Sequence, residues 1–140
     1  MTQPTKVEAV ALPVAVDDHD VSEIVRIDYA ARKLTVVAQA PKSNTLIGIR
    51  FDDVVAYRVM DERDLAEYWP ACSSPNCSVF SIQSGGWLSQ ESTRPGSCIG
   101  LFYGDVREYL VTSVAECVSV LCIGEPRIEP EYREARLPAR

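Results

Sequence analysis

The stretch EIVRIDYAARKLTVVAQA, residues 23–40, contains two runs of alternating apolar and polar side chains that are joined by only two residues. This two-residue period is typical of half-buried β-strands. In the first run, the apolar side chains that share one face are Val25, Ile27 and Tyr29. In the second run, the corresponding side chains are Leu34, Val36, Ala38 and Ala40. Because the link Ala31–Arg32 is so short, the sequence predicts an antiparallel hairpin.

Further strands are predicted on both sides of this hairpin. TLIGIRF (45–51) aligns Ile47, Ile49 and Phe51, and VVAYRVM (54–60) aligns Val55, Tyr57 and Val59 after a tight reversal at Asp52–Asp53. SVFSIQ, EYLVTSV and ECVSVLCI are three more strand-like runs, and the N-terminal stretch MTQPTKVEAVALPVAV is read as a first strand. Since ECVSVLCI is almost wholly apolar, we expect a central strand that is covered on both faces.

The apolar period changes after Asp61, where Leu65, Tyr68 and Trp69 follow helical spacing. Asp61 is a suitable N-cap, because its carboxylate can accept a hydrogen bond from the first free backbone N–H groups. Pro70 disfavours helical geometry in the residue before it, so the helix is expected to end there. The sequence therefore predicts one short helix over residues 61–69.

These elements predict a mainly β fold, which could equally be counted as α+β. We expect seven to eight short strands in an antiparallel sheet, curled or sandwiched, with the helix closing one edge. The 140 residues suit a single domain, 1–140, in which 125–140 forms an edge segment and a frayed C-terminal tail. No alternation of strands with long helices is present, and this argues against a parallel α/β fold.

The net charge of −6 disfavours direct binding to nucleic acid or to an anionic membrane, since both require a positive surface. The same charge is compatible with a basic protein partner. No apolar run is long enough to span a membrane, and Glu8 and Pro13 interrupt the N-terminal stretch that might resemble a signal peptide. We therefore expect a cytoplasmic protein.

The sequence contains no recognisable catalytic or metal-binding constellation. Its one histidine, His19, lies among acids in DDHD, which reads as a solvated turn. Cys117 and Cys122 are expected on opposite faces of one strand, where they cannot hold the same metal ion, and Cys72 and Cys77 flank a turn that could bring them close. We expect no catalytic residues, no metal and no cofactor, and hence not an enzyme.

The remaining candidate is an acidic surface for a partner protein. Between residues 52 and 67, two arginines are outnumbered by six acids: Asp52, Asp53, Asp61, Glu62, Asp64 and Glu67. These acids could be an ordinary solvated helix face and turn, or a patch that attracts a cationic partner and is flanked by Tyr68 and Trp69. Trp87, in the Gly/Ser-rich segment 84–97, could be a core side chain or a binding anchor.

The succession RFDDVVAYRVMDERDLAEYW, SGGWL and EYLVTSVAECVSVL resembles small bacterial immunity proteins of polymorphic toxin systems, including those of contact-dependent growth inhibition. The resemblance covers roughly residues 45–123. It implies an inhibitor that binds one cognate basic toxin domain, often a nuclease, and occludes its active site. It assigns no role to individual residues.

Two other classes of function stay open. One is a small ligand-binding or enzymatic β domain with a pocket near the 84–97 loop, lined by Ser81, Trp87 and Tyr109. The other is a self-associating structural domain that buries its edge strands.

Overall fold

The computed structural model describes residues 6–13, 23–40, 45–72, 79–99 and 104–131, and nine antiparallel strands lie within these ranges. The strands are β1 (Glu8–Leu12), β2 (Glu23–Ala30), β3 (Lys33–Ala40), β4 (Thr45–Phe51), β5 (Val54–Asp61), β6 (Val79–Ser84), β7 (Val106–Val111), β8 (Glu116–Ile123) and β9 (Arg127–Pro130). The expected mainly β, antiparallel fold is confirmed. The described strands exceed the seven or eight expected, because Arg127–Pro130 adds an edge strand next to β4.

The strands form two sheets that pack face to face. The five-stranded sheet has the order β1-β6-β7-β8-β5, and the four-stranded sheet has the order β2-β3-β4-β9. Buried side chains from both sheets make the inner core, among them Leu34, Val36, Ile49, Phe51, Val118 and Val120. The sandwiched arrangement expected from the sequence is thus present. No helix in the described residues combines the length and the apolar character that a membrane crossing requires.

A helical segment forms a third layer on the outer face of the five-stranded sheet. It consists of two 3-10 turns at 62–64 and 66–68, followed by helix α1 (Trp69–Cys72). Its buried side chains pack with side chains from β6, β7 and β8 in an outer core: Leu65, Tyr68, Cys72, Phe80, Ile82, Leu110 and Cys117. The helix predicted over 61–69 is therefore present in an interrupted form that extends to Cys72.

The N-cap prediction is confirmed, since the Asp61 carboxylate accepts a hydrogen bond from the Arg63 backbone N–H at 2.8 Å. The predicted stop at Pro70 is wrong, because Trp69 is helical and Pro70 lies inside α1. The physical reason is the position of Pro70 in the first turn of α1. In the first turn of an α-helix the backbone N–H has no intrahelical acceptor, so proline loses nothing there.

Strand β8 lies between β7 and β5, and its residues from Cys117 to Cys122 are all buried. Cys122 belongs to the inner core and Cys117 to the outer core. The central strand and the opposite placement of the two cysteines are both confirmed. His19, Cys77 and residues 132–140 lie outside the described residues.

Two β-bulges change the predicted strand faces. In β2 the register shifts between Ile24 and Arg26, so Ile24 and Ile27 pack on the inner core while Val25 is 47% exposed. In β5 the register shifts between Val54 and Ala56, and Val54 is the buried valine at the start of the strand. The predicted alignment of Val25 with Ile27 is wrong, because an extra residue at a bulge reverses the face of those before it.

The predicted hairpin of β2 and β3 is confirmed, and its turn has an unusual backbone. Ala31 and Arg32 both adopt positive φ, at 51° and 66°. The Arg32 carbonyl accepts a hydrogen bond from the Val54 N–H at 2.9 Å, and the Arg32 Nε donates to the Val54 carbonyl at 3.4 Å. The turn of one sheet is thereby fastened to the first residue of β5 in the other sheet.

The segment 84–97, expected to be an irregular loop, contains a second short helix, α2 (Trp87–Ser92). Gly85 and Gly96 on either side of it have positive φ. Gly85 precedes the N-cap Gly86 and Gly96 lies four residues after Ser92, so these glycines supply left-handed geometry to the turns that flank the helix.

Candidate protein-binding surface

The six acids between residues 52 and 67 lie at opposite ends of β5. Asp52 and Asp53 form the turn before this strand, whereas Asp61 is its last residue. The eight residues of β5 span about 25 Å. That separation is about three times the screening length of roughly 8 Å at physiological salt. The predicted acidic patch is therefore two separate groups.

In the group at the start of β5, Asp52 is neutralised by its neighbours. Asp52 forms ion pairs with Lys33 at 3.1 Å and with Arg127 at 3.5 Å. The hydrogen bond from Lys33 lowers the pKa of Asp52 below its usual value. The Asp53 carbonyl accepts a hydrogen bond from the Ile123 N–H at 3.2 Å, so this residue serves the turn. The Asp53 carboxylate forms no ion pair with a described residue, but one carboxylate beside the paired Asp52 is not a concentrated negative field.

The group at the other end of β5 gains acids from distant parts of the chain. Asp61 is the register partner of Glu116 on β8, and both line a cleft together with Glu23 on β2. Glu62, Asp64 and Glu67 follow on the adjoining helical segment, where Asp64 and Glu67 are exposed. We call this set the acidic end: Glu23, Asp61, Glu62, Asp64, Glu67 and Glu116.

Ion pairing distinguishes the acidic end from the other described acids. Asp61 pairs with Arg63, while its five companions form no ion pair with any described residue. Most acids elsewhere have an arginine or lysine partner within 3.5 Å: Asp28, Asp52, Glu91, Asp105, Glu125, Glu129 and Glu131. Unbalanced negative charge is thus concentrated at one end of the molecule.

Asp61 and Glu116 face each other across neighbouring strands, an arrangement that is unfavourable for like charges. Arg63 relieves part of this repulsion. Its side chain and its backbone N–H both donate to Asp61, and these hydrogen bonds lower the pKa of Asp61 to about 2. Asp61 therefore has a local structural role as well as a charge.

The cleft at the acidic end has a volume of about 290 Å³. Its lining combines carboxylates with apolar side chains: Glu23, Ile24, Val59, Met60, Asp61, Ser113, Ala115 and Glu116. This mixture suits an aliphatic stem that ends in a cation, which is the chemistry of a lysine or arginine side chain. Among the described residues, no group of three or more His, Cys, Asp or Glu side chains is arranged to hold a metal ion.

Of the two aromatic residues predicted to flank the patch, Trp69 is partly exposed and Tyr68 is not at the surface. Tyr68 has no exposed area, because it packs in the outer core beneath the helical segment. Its hydroxyl donates a hydrogen bond of 2.6 Å to Glu108, and burial together with the charge of Glu108 raises the pKa of Tyr68. The expectation that Tyr68 contacts a partner is therefore wrong.

Glu108 on β7 is a buried carboxylate that fastens α2 to the sheet. It is 1% exposed and accepts hydrogen bonds from the Trp87 N–H at 3.1 Å and the Leu88 N–H at 2.9 Å, in addition to the Tyr68 hydroxyl. Gly86 lies so close that an added Cβ would be 2.7 Å from a Glu108 oxygen. We call Glu108, Tyr68 and the backbone of 86–88 the carboxylate anchor.

Trp87, the predicted core or anchor residue, is half-buried. The Arg58 guanidinium lies 4.5 Å from the centre of its ring, which is cation–π geometry. The Trp87 N–H belongs to the carboxylate anchor, so the residue supports the fold of the outer layer. The structure places Trp87 on the outer face of the five-stranded sheet, away from the cleft lining.

The pocket suggested for Ser81, Trp87 and Tyr109 does not form. Ser81 and Tyr109 are register partners, and Tyr109 points into the inner core, where it packs against Phe51. Trp87 is joined to Glu108, the neighbour of Tyr109, whose side chain points the opposite way. The three residues thus lie on two faces of one sheet.

Sequence reasoning missed Glu23, Glu108 and Glu116. Each is an acid in a strand, a position that normally indicates solvent exposure. Strand pairing brings Glu116 beside Asp61, and the packing of the two sheets brings Glu23 to the same cleft. Glu108 is covered by Tyr68 and by the start of α2. Nothing in the local sequence distinguishes these three acids from the ion-paired ones.

Comparisons with known proteins found no match to this chain among family models, curated proteins or solved structures.

Proposed function

We propose that this protein binds and neutralises a cationic protein, namely a toxin domain with a basic active-site surface, as the immunity proteins that its sequence resembles do. The observation that carries the proposal is the acidic end, where five carboxylates have no ion-pair partner among the described residues while most other acids do. Uncompensated charge on one side of a protein repels itself. Such charge is useful when a partner supplies the opposite sign.

The acids of the helical segment are the principal contact residues in this proposal. Glu62, Asp64 and Glu67 form no hydrogen bond through their carboxylates within the described structure, so they contribute little to the fold. Asp61, in contrast, caps the segment and pairs with Arg63. Loss of binding on changing Glu62 or Glu67 therefore reports on the partner, whereas the same loss on changing Asp61 could report on folding.

Electrostatic attraction acts mainly on the association rate. A concentrated patch can raise that rate by one to three powers of ten at low salt, and screening removes the gain as salt increases. For one charge reversal within the patch we expect the rate constant to fall about three- to tenfold.

The test measures association of the protein with the product of the adjacent toxin gene by stopped flow at several salt concentrations. Glu67→Lys should slow association and flatten its salt dependence. The matched control is Glu125→Lys, which makes the same charge change at an exposed position that pairs with Arg107 outside the acidic end. Equal effects of the two substitutions would show that the acidic end is not the contact surface.

A further inference from the structure

We propose that the free edge of β5 receives an extended, basic segment of the partner as an added strand, with a lysine or arginine side chain entering the cleft of the acidic end. The basic character of the segment rests on the proposed function. The place and mode of binding rest on the geometry of β5, which is independent of it.

Among the strands that the structure describes, β5 is paired on one side only. Its single described neighbour is β8, and it ends the order of the five-stranded sheet. The Glu62 N–H donates to the Ala115 carbonyl on the β8 side. In an antiparallel pair, alternate residues point their N–H and C=O groups to the same side. The backbone N–H and C=O groups of Tyr57, Val59 and Asp61 therefore point away from β8, towards the open edge.

The start and the end of this edge differ. At the start, a bulge follows Val54, and Arg32 hydrogen-bonds both backbone groups of Val54. Bulges and covering segments are common ways to block an edge strand. From Tyr57 to Asp61 the strand is regular, and no described residue shares a backbone hydrogen bond on its open side. Val59 is 43% exposed in the middle of this stretch.

The other edges are less suited to strand addition. Strand β9 has only four residues and ends in Pro130, which lacks an N–H group. Strand β2 is interrupted by its bulge between Ile24 and Arg26. Strand β1 has Glu8 held by a hydrogen bond from the Ser84 hydroxyl and lies away from the acidic end.

Charge selects the occupant of the β5 edge. Asp61 and Glu116 lie at the end of the open stretch, and Glu23 faces them across the cleft. A strand added beside β5 would direct every second side chain to the same face as Val59. A lysine or arginine there can lay its aliphatic stem on Val59 and place its cation among the carboxylates.

The test is an NMR titration of the ¹⁵N-labelled full chain with an acetylated and amidated hexapeptide of alternating valine and lysine. We expect the largest amide shifts at Tyr57, Val59 and Asp61. A matched peptide with glutamate in place of lysine should cause none of these shifts. Absence of shifts at millimolar lysine peptide, or shifts confined to Glu62, Asp64 and Glu67, would overturn strand addition.

Val59→Pro removes an outward N–H group without removing a hydrogen bond to β8. We expect it to weaken peptide binding about tenfold, the effect of losing one hydrogen bond. Val59→Thr keeps the N–H group and should bind as the unmodified chain does. If Val59→Pro unfolds, Val59→Lys replaces it, because a cation at the edge repels the lysine peptide. Unchanged peptide binding in the variant used would refute the added strand.

The same variants separate this inference from the proposed function. Suppose that Val59→Pro, or its substitute Val59→Lys, binds the toxin domain as tightly as the unmodified chain, while Glu67→Lys associates slowly. The proposal of an added strand is then wrong, and the proposed function stands. If the unmodified chain does not bind the toxin domain, the proposed function fails. A peptide that still docks on β5 would then assign this edge to another basic partner.

Discussion

Replacing Glu108 by alanine should destabilise the fold strongly, because one buried carboxylate satisfies three donors in the carboxylate anchor. The Tyr68 hydroxyl, the Trp87 N–H and the Leu88 N–H all donate to it within 3.1 Å. In Glu108→Ala these donors lose their acceptor at a site that is 1% exposed. Each buried donor left without a partner costs about 1–3 kcal/mol.

The total cost is smaller than three full penalties. The Tyr68 hydroxyl also accepts a hydrogen bond from the Trp87 N–H at 2.9 Å, so this N–H keeps one partner in the variant. Removing the carboxylate also removes the cost of burying its own charge. We therefore expect Glu108→Ala to lower the free energy of unfolding by about 3–5 kcal/mol.

Two milder substitutions should lower the free energy of unfolding by less than Glu108→Ala does. Tyr68→Phe removes one donor and leaves the two backbone hydrogen bonds to Glu108, for a loss of about 1–2 kcal/mol. Glu108→Gln keeps the volume of the side chain, but its amide NH₂ group must face either a backbone N–H or the Tyr68 hydroxyl. We expect its free energy of unfolding to lie between those of Tyr68→Phe and Glu108→Ala.

The assay is equilibrium unfolding in urea, followed by far-ultraviolet circular dichroism and tryptophan fluorescence. Hydrogen exchange at the amides of residues 86–92 provides a local measurement, since α2 could separate from the sheet before the whole domain unfolds. A loss below about 1 kcal/mol together with unchanged exchange at 86–92 would refute the anchoring role.

Three further outcomes follow from the same structure. Gly86→Ala places a Cβ 2.7 Å from a buried carboxylate oxygen and should lower the melting temperature. The control Gly104→Ala adds a Cβ that meets no atom within 4 Å and should leave the melting temperature unchanged. Equal melting temperatures of the two variants would contradict the close packing at Gly86. Asp61→Ala should lower stability at neutral pH. Because the lowered pKa of Asp61 means that its ionised form stabilises the fold, the difference in stability from the unmodified chain should shrink as pH falls from 3.8 towards about 2. A difference that stays constant in a pH series of thermal melts would exclude this charge-dependent cap. Cys98 is exposed, while burial raises the pKa of Cys122 to about 12, so brief iodoacetamide treatment near neutral pH should alkylate Cys98 and spare Cys122 in peptide mass spectra until denaturant is added.

The fold was predictable where local pattern and packing agree. The alternation in residues 23–40 predicted the hairpin, and the apolar run in β8 predicted a central strand. The bulge at Ile24–Arg26 was not predictable in this way, because one extra residue leaves the composition of the strand unchanged while it reverses a face. Pro70 misled the helix prediction, since its effect depends on which turn of a helix it occupies.

The candidate site was only half predictable, because closeness along the chain is not closeness in space. Asp52 and Asp61 are nine positions apart, and the extended chain of β5 separates them fully. Arg127 neutralises Asp52 from a distance of 75 positions, and Glu116 joins Asp61 from 55 positions away. Charge balance at a β-sheet surface depends on pairing between strands, and pairing is not visible in a local window.

The turn at Ala31–Arg32 bears on the order in which the chain folds. Two residues other than glycine in the left-handed region cost about 1–2 kcal/mol each, so the isolated hairpin of β2 and β3 is weak. The hydrogen bonds between Arg32 and Val54 that offset this cost exist only once the second sheet is in place. We therefore expect the hairpin to be completed late in folding, only after β5 has taken its place beside the turn.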